Sequence, residues 1–153
     1  MSTRPKSEEE KLAERILNEL DHRAVLDLMF DAVEHYASPY LTSAKFSDEI
    51  PAEISRGFEK HDLTSLKTYN PDWLDERDEM AYQAEEHNQP ESVRHEYEIL
   101  SVIAQMLDYI CSGPTTPFQL AGFVELLESF DTQPYATLKS LVASRKPQQS
   151  SQR

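Results

Sequence analysis

Asp31 and His35 stand four residues apart, with Asp27 one turn earlier on the same stripe. Glu91 and His95 repeat that spacing, with Glu98 nearby. Positions i and i+4 share a helix face, so each set would present a carboxylate and an imidazole together. Two helices projecting such sets inward can build a metal site in a bundle core. Di-iron proteins use Glu-x-x-His, and only Glu19-Leu20-Asp21-His22 has that spacing, once. With 28 acids and five histidines, such pairs also arise by chance on solvated helix faces. The solvated face is the plainer expectation, so neither a metal nor a cofactor is assigned.

Other chemistry is weaker still. The order His35, His61-Asp62, Asp108 resembles the ligand order of the histidine–aspartate phosphohydrolases, but the surrounding residues do not match. His61-Asp62 follows Gly57-Phe58-Glu59-Lys60, where an apolar helical segment would be expected around a buried ligand. Cys111 falls at the C-terminal end of an apolar helical run, where the negative dipole end raises a thiol pKa. It is expected to be a core or helix-end thiol. No Gly-x-Ser-x-Gly and no phosphate-binding loop occurs. Residues 117–145 can be drawn as helix, turn, helix with Lys139 and Arg145 on the second, but Glu125, Glu128 and Asp131 lie on the first. Neutralising phosphates dominates DNA affinity, so direct nucleic-acid binding is not expected.

The strongest chemical signal is charge. Residues 72–98 carry ten carboxylates against Arg77 and Arg94, a net −8 within a chain at −13. Such a run repels itself, attracts basic partners and repels nucleic acid and anionic lipid. A merely solubilising helix usually interleaves Glu with Lys at i, i+4, because those pairs stabilise it. Over 72–87 only Arg77 answers the acids. The expected partner-binding residues are Asp72, Trp73, Asp75, Glu76, Asp78, Glu79, Tyr82, Glu85 and Glu86, the two aromatics as anchors of the type enriched at interfaces. The plain alternative is a solvated face that keeps the chain dispersed.

These residues need elements to hold them. Glycine is scarce: three residues, where an average composition of about 7 % would supply about ten. That disfavours sandwiches, barrels and glycine-rich nucleotide folds. Helix signals are frequent. Ser7 with Glu10 makes a capping-box pattern ahead of Leu12, Ile16 and Leu20. Asp21 is a candidate cap for a second helix carrying Val25, Met29, Val33 and Tyr36, which Ser38-Pro39 should end. Residues 39–46 read as a linker, followed by Ser47 and a short helix bearing Ile50, Ile54 and Phe58. A connection is expected over 62–69, and Asn70-Pro71-Asp72 reads as the start of the acidic helix. Pro90 opens a helix that Gly113-Pro114 closes. Its second half is apolar except for the stripe Ser101, Gln105, Asp108 and Ser112, as a central helix would be. Thr116-Pro117-Phe118-Gln119 starts another helix, and Thr132 precedes a last one.

The expected fold is all-α: a compact single-domain bundle of about seven helices around a buried central helix at about 91–112. The helical domain spans 7–145, between a disordered N-terminus, 1–6, and a disordered tail, 146–153. One cysteine, no apolar leader and no long apolar run make the cytoplasm the expected compartment. The expected function is non-enzymatic: an acidic regulator or inhibitor engaging a basic surface on a partner protein, such as a nucleic-acid-binding surface it would occlude. The alternatives are a metal-dependent helical enzyme using Asp31, His35, Glu91 and His95, and a self-assembling component packing through the apolar edge near Trp73. A homo-oligomer is compatible with either class of binder; a membrane partner is not expected.

Overall fold

In the computed structural model, which describes residues 6–41, 49–131 and 134–145, every regular element is helical. Seven helices follow in order: α1 (Glu8–Glu19), α2 (His22–Leu41), α3 (Ala52–Glu59), α4 (Leu63–Glu86), α5 (Glu91–Ser112), α6 (Pro117–Leu127) and α7 (Tyr135–Arg145). The fold class is all-α, as the scarcity of glycine and the capping signals imply. Of the expected tails, residues 1–5 and 146–153 lie outside the described residues, as do the linker beyond Leu41, the Ser47 cap and the Thr132 cap; Lys6, at the end of the expected N-terminal tail, pairs with Glu14.

Local signals act where they were read. The Ser7 hydroxyl accepts from Glu10 N at 3.1 Å, and Asp21 Oδ1 accepts from Ala24 N at 2.8 Å. At Thr116 the full reciprocal box forms with Gln119, and Pro117 opens α6. Each cap satisfies one of the free N–H groups of a first turn, typically stabilising by about 1 kcal/mol. Gly113 terminates α5 at φ 65°, a conformation that costs an L side chain and costs glycine nothing.

The chain divides into two units, 1–32 with 113–153, and 33–112. In the first, α1 packs on α6. Buried Leu12, Ala13, Ile16 and Leu20 form the apolar stripe of α1, and Leu120, Phe123, Val124 and Leu127 that of α6. In the second, α4 packs along α5 and α3 packs on α4. Here α5 is the apolar centre, burying Ile99, Leu100, Ile103, Ala104, Met106, Leu107 and Ile110. At about 1.5–3 kcal/mol for each large side chain, this stripe is the main stabilisation of the unit.

Two expected boundaries are overturned, both at proline. α2 continues through Pro39 to Leu41, and α4 begins at Leu63, eight residues before Pro71. The cap of α4 is Asp62, whose Oδ1 accepts from Ser65 N at 3.1 Å. A proline inside a helix orphans the carbonyl four residues earlier. Those carbonyls belong to His35 and Lys67, both exposed, where solvent can replace the lost N–H. Burial on the opposite faces, at Ala37 and at Leu66 and Asn70, holds each helix together across its proline. Asn70 is therefore not a cap. Its Nδ2 donates to the Ala104 carbonyl at 3.0 Å and ties α4 to α5.

Candidate partner-binding surface

The inward stripe of α4 is Leu66, Asn70, Trp73, Arg77 and Ala84, with Met80 half-buried between the last two. The steps alternate four and three residues, the spacing that keeps a helix edge against a neighbour. All the acids therefore fall on the remaining circumference. Asp72, Asp75, Glu76, Asp78, Glu79, Glu85 and Glu86 are exposed, and Glu91 and Glu98 of α5 join them.

Not all of these carboxylates are equally available. Asp78 accepts from the Ser101 hydroxyl, which itself accepts from Gln105 Nε2 at 3.1 Å, so Asp78 links α4 to α5. Glu79 accepts from Gln83 Nε2 at 2.8 Å. Glu76 pairs with Arg77 at 3.0 Å. By contrast Asp72, Asp75, Glu85, Glu86, Glu91 and Glu98 have no ionic or hydrogen-bonding side-chain partner among the described residues.

The two aromatics separate. Tyr82 is 56 % exposed and stands among the acids. Trp73 is 2 % exposed, and its Nε1–H donates to the Glu49 carbonyl at 2.9 Å. It is a core residue and offers no surface to a partner or to a second copy of the chain. The single tryptophan of an otherwise acidic segment goes inward because it is the largest apolar group α4 has to bury.

Arg77 follows Trp73 by one turn and is 1 % exposed. Its guanidinium reaches Glu49 Oε2 at 2.7 Å and leaves Nε without a partner. Arg77, the one cation over 72–87, is thus buried and divided between Glu49, outside that stretch, and Glu76 within it. It relieves Glu76 alone among the acids of that stretch.

Beside the acids, α4 and α5 leave a shallow cleft of ≈ 210 Å³. Its apolar wall is Met80, Ala84, Val93 and Tyr97, and His87 stands at the turn. That turn is built by Asn88 at φ 51°, with Gln89 N donating to the Ala84 carbonyl at 3.0 Å and Asn88 N to the Glu85 carbonyl at 3.1 Å. These are the two bonds of a Schellman stop.

The sequence-level metal candidates do not come together. Among the described residues no three His, Cys, Asp or Glu side chains are placed to hold a metal ion. His35 is exposed, with its ring edge against Tyr36 at 4.7 Å. Glu91, His95 and Glu98 are exposed along α5. Glu19 and His22 lie on different helices, since Leu20 is the C-cap of α1. His61 and Asp62 have structural placements. His61 takes φ 52° after α3, Asp62 N donates to the Gly57 carbonyl at 2.8 Å, and the Asp62 side chain caps α4. Cys111 is half-buried, and burial, with the Asp108 charge behind it, pushes its thiol up to about 11 against a weaker opposing effect of Lys67. The raised direction is the expected one; burial supplies most of it.

One cluster gave no sequence signal. The Tyr135 hydroxyl of α7 lies 3.2 Å from Glu9 Oε2 of α1 and 3.3 Å from Glu128 Oε2, just after α6. The interaction of the two carboxyls with each other holds Glu9 below the ordinary carboxyl value and Glu128 above it. The two shifts are opposed because two adjacent like charges cannot both form cheaply. Burial, then the nearby Glu9 charge, raises Tyr135. With Tyr135 and Glu9 separated by 126 positions, no periodicity could have paired them.

Comparison with protein-family models, with curated proteins and with solved structures gives no match to the chain. Among the described residues no helix is long and apolar enough to cross a membrane.

Proposed function

We propose that this chain is a non-enzymatic, acidic protein-binding regulator. The outer face of α4, extended by the start of α5, would dock on a basic surface of a partner protein and act as an inhibitor by covering it. The observation that carries this reading is the set of exposed, unpartnered carboxylates along α4 and the start of α5: Asp72, Asp75, Glu85, Glu86, Glu91 and Glu98. Carboxylates in that state are a standing cost in self-repulsion, which a docked cation would relieve. Tyr82 supplies an exposed aromatic contact, and the neighbouring apolar cleft gives an uncharged seat beside the acids. A nucleic-acid-binding surface is the kind of target that matches in sign. The mechanism is steric block with electrostatic steering, so the association rate falls steeply with salt. With one cysteine the chain forms no internal disulfide, which suits a reducing compartment, and we place the interaction in the cytoplasm.

The test is charge reversal at residues that hold no internal contact. The variant Asp72→Lys, Asp75→Lys, Glu86→Lys should keep its helicity and lose a salt-eluted protein that the parent chain captures from lysate of its source. The captured protein should present a basic surface and bind the purified chain directly. Equal capture by the parent and the triple variant would remove the acidic face from the mechanism.

A further inference from the structure

In a chain with 28 acids and 15 cations, every lysine and arginine has carboxylates to spare. Three cations of the unit formed by 1–32 and 113–153, namely Arg15, Arg23 and Lys139, nevertheless stand unpaired among the described residues. Neither Arg15 on α1 nor Lys139 on α7 has an ionic or hydrogen-bonding side-chain partner among the described residues. Both line the same cleft. α1 packs closely on α6, and between α1 and α7 two depressions of ≈ 260 and ≈ 130 Å³ share Leu12, Arg15 and Lys139. The floor is apolar, with Leu12, Ile16 and Val142 all buried beneath the cations. Lys11 also faces the larger depression, but it is drawn to Glu8 at 3.5 Å.

The cleft has a direction. At one end Tyr135 has its hydroxyl committed to the Glu9–Glu128 carboxyl pair, which repels an anion. The centre holds the two free cations, and the α1 carboxylates Glu8 and Glu19 also line the larger and the smaller depression. α7 is the one helix among the seven described that carries no carboxylate, so nothing on its side competes for Lys139. The volumes admit a small molecule and exclude a peptide helix, which is about 10–12 Å across with its side chains. Arg15 offers a planar fork suited to a carboxylate, and Lys139 offers a point charge beside it.

We propose that the α1–α7 cleft is a binding site for a small amphiphilic carboxylate, with its head held by Arg15 and Lys139 and its short apolar body laid over Leu12, Ile16 and Val142. The site is separate from the acidic face of α4, and either can fail without the other. The binding is non-covalent, and the apolar floor contributes by area removed from water.

The test is an amide-resolved NMR titration of the full chain with octanoate, with 1-octanol and with inorganic phosphate. Octanoate should give saturable shifts centred on Leu12, Ile16, Tyr135 and Val142. Octanol and phosphate should each bind at least about tenfold more weakly, because each lacks one half of the contact. Arg15→Gln with Lys139→Gln should cost octanoate about tenfold or more, whereas Lys60→Gln in α3 should cost nothing. Ala143→Glu adds a second carboxylate, beside Glu19, to the smaller depression and should weaken octanoate binding. All these positions are exposed, so the variants leave the core intact. Octanol binding as tightly as octanoate, phosphate binding as tightly as octanoate, or a double variant that binds like the parent would each overturn the proposal.

Discussion

Removing the Glu49 carboxylate tests how the buried cation of α4 is supported. Arg77 is 1 % exposed and bonds Glu49 Oε2 at 2.7 Å, while its second partner, Glu76, is 63 % exposed. Glu49→Ala leaves a desolvated guanidinium with only the outer carboxylate. Breaking a fully buried pair costs about 3–5 kcal/mol, and exposed pairs contribute about 0.2–1 kcal/mol. Glu49 is 35 % exposed and Glu76 remains, so the expected loss lies between those limits, at about 2 kcal/mol. At about 2–4 °C per kcal/mol for a chain of this size, the melting temperature should fall by about 4–8 °C. The mutation spares the other Glu49 contact, because Trp73 Nε1–H donates to the main-chain carbonyl. Arg77→Met should cost under about 1 kcal/mol, since it removes both the buried charge and its unpartnered Nε at similar volume. Combining the two should cost no more than Arg77→Met alone, a coupling of about 2 kcal/mol. Urea unfolding followed by the fluorescence of Trp73, the sole tryptophan, reports on the unit that holds the pair. If Glu49→Ala costs as much in the Arg77→Met background as in the parent, Glu49 does not act through the guanidinium and the reasoning fails.

Three further outcomes are expected. Glu9 has a lowered pKa, so its contribution is present above the unfolded value and fades as acid reaches its folded value; Glu128 has a raised pKa, so its contribution is present below the unfolded value and fades as pH climbs through its folded one. The pair is therefore best around the ordinary carboxyl value of 4.5, and Glu128→Gln should raise the melting temperature at pH 7–8 but not near pH 4.5; a difference constant with pH would dismiss the opposed shifts. His61→Gly should stabilise the 33–112 unit by about 1 kcal/mol in the Trp73 assay, because His61 holds φ 52° at a helix stop, and His61→Val should do the reverse. Alkylation of Cys111 at pH 8 should run at least about 100-fold slower than that of a free thiol and should still be accelerating at pH 10, since the thiol is pushed up to about 11; a rate that levels off near pH 9 would contradict the burial assigned to it.

What the sequence alone determined is whatever a single turn of backbone can decide. Ser7, Asp21 and Thr116 cap helices because their side-chain oxygens reach an N–H two or three residues on. Gly113 stops α5 because φ 65° favours glycine. The apolar run from Ile99 to Ile110 marks the central helix of its unit because its apolar groups nearly encircle it. The exposure of the acids followed from charge alone. Only the tertiary structure decided the rest, and distance in the chain is the reason. Asn70-Pro71 looks like a helix start, but the Asn70 amide finds a carbonyl 34 residues away and the helix runs through. Trp73 and Arg77 look like surface groups of an acidic stretch, but Glu49, 24 and 28 residues earlier, accepts from both and draws them inward. Glu9 and Glu128 look like solvated acids until Tyr135 bridges them, and Arg15 and Lys139 look like scattered cations until α7 lies beside α1. Periodicity names a face; only packing names the partner that face will meet.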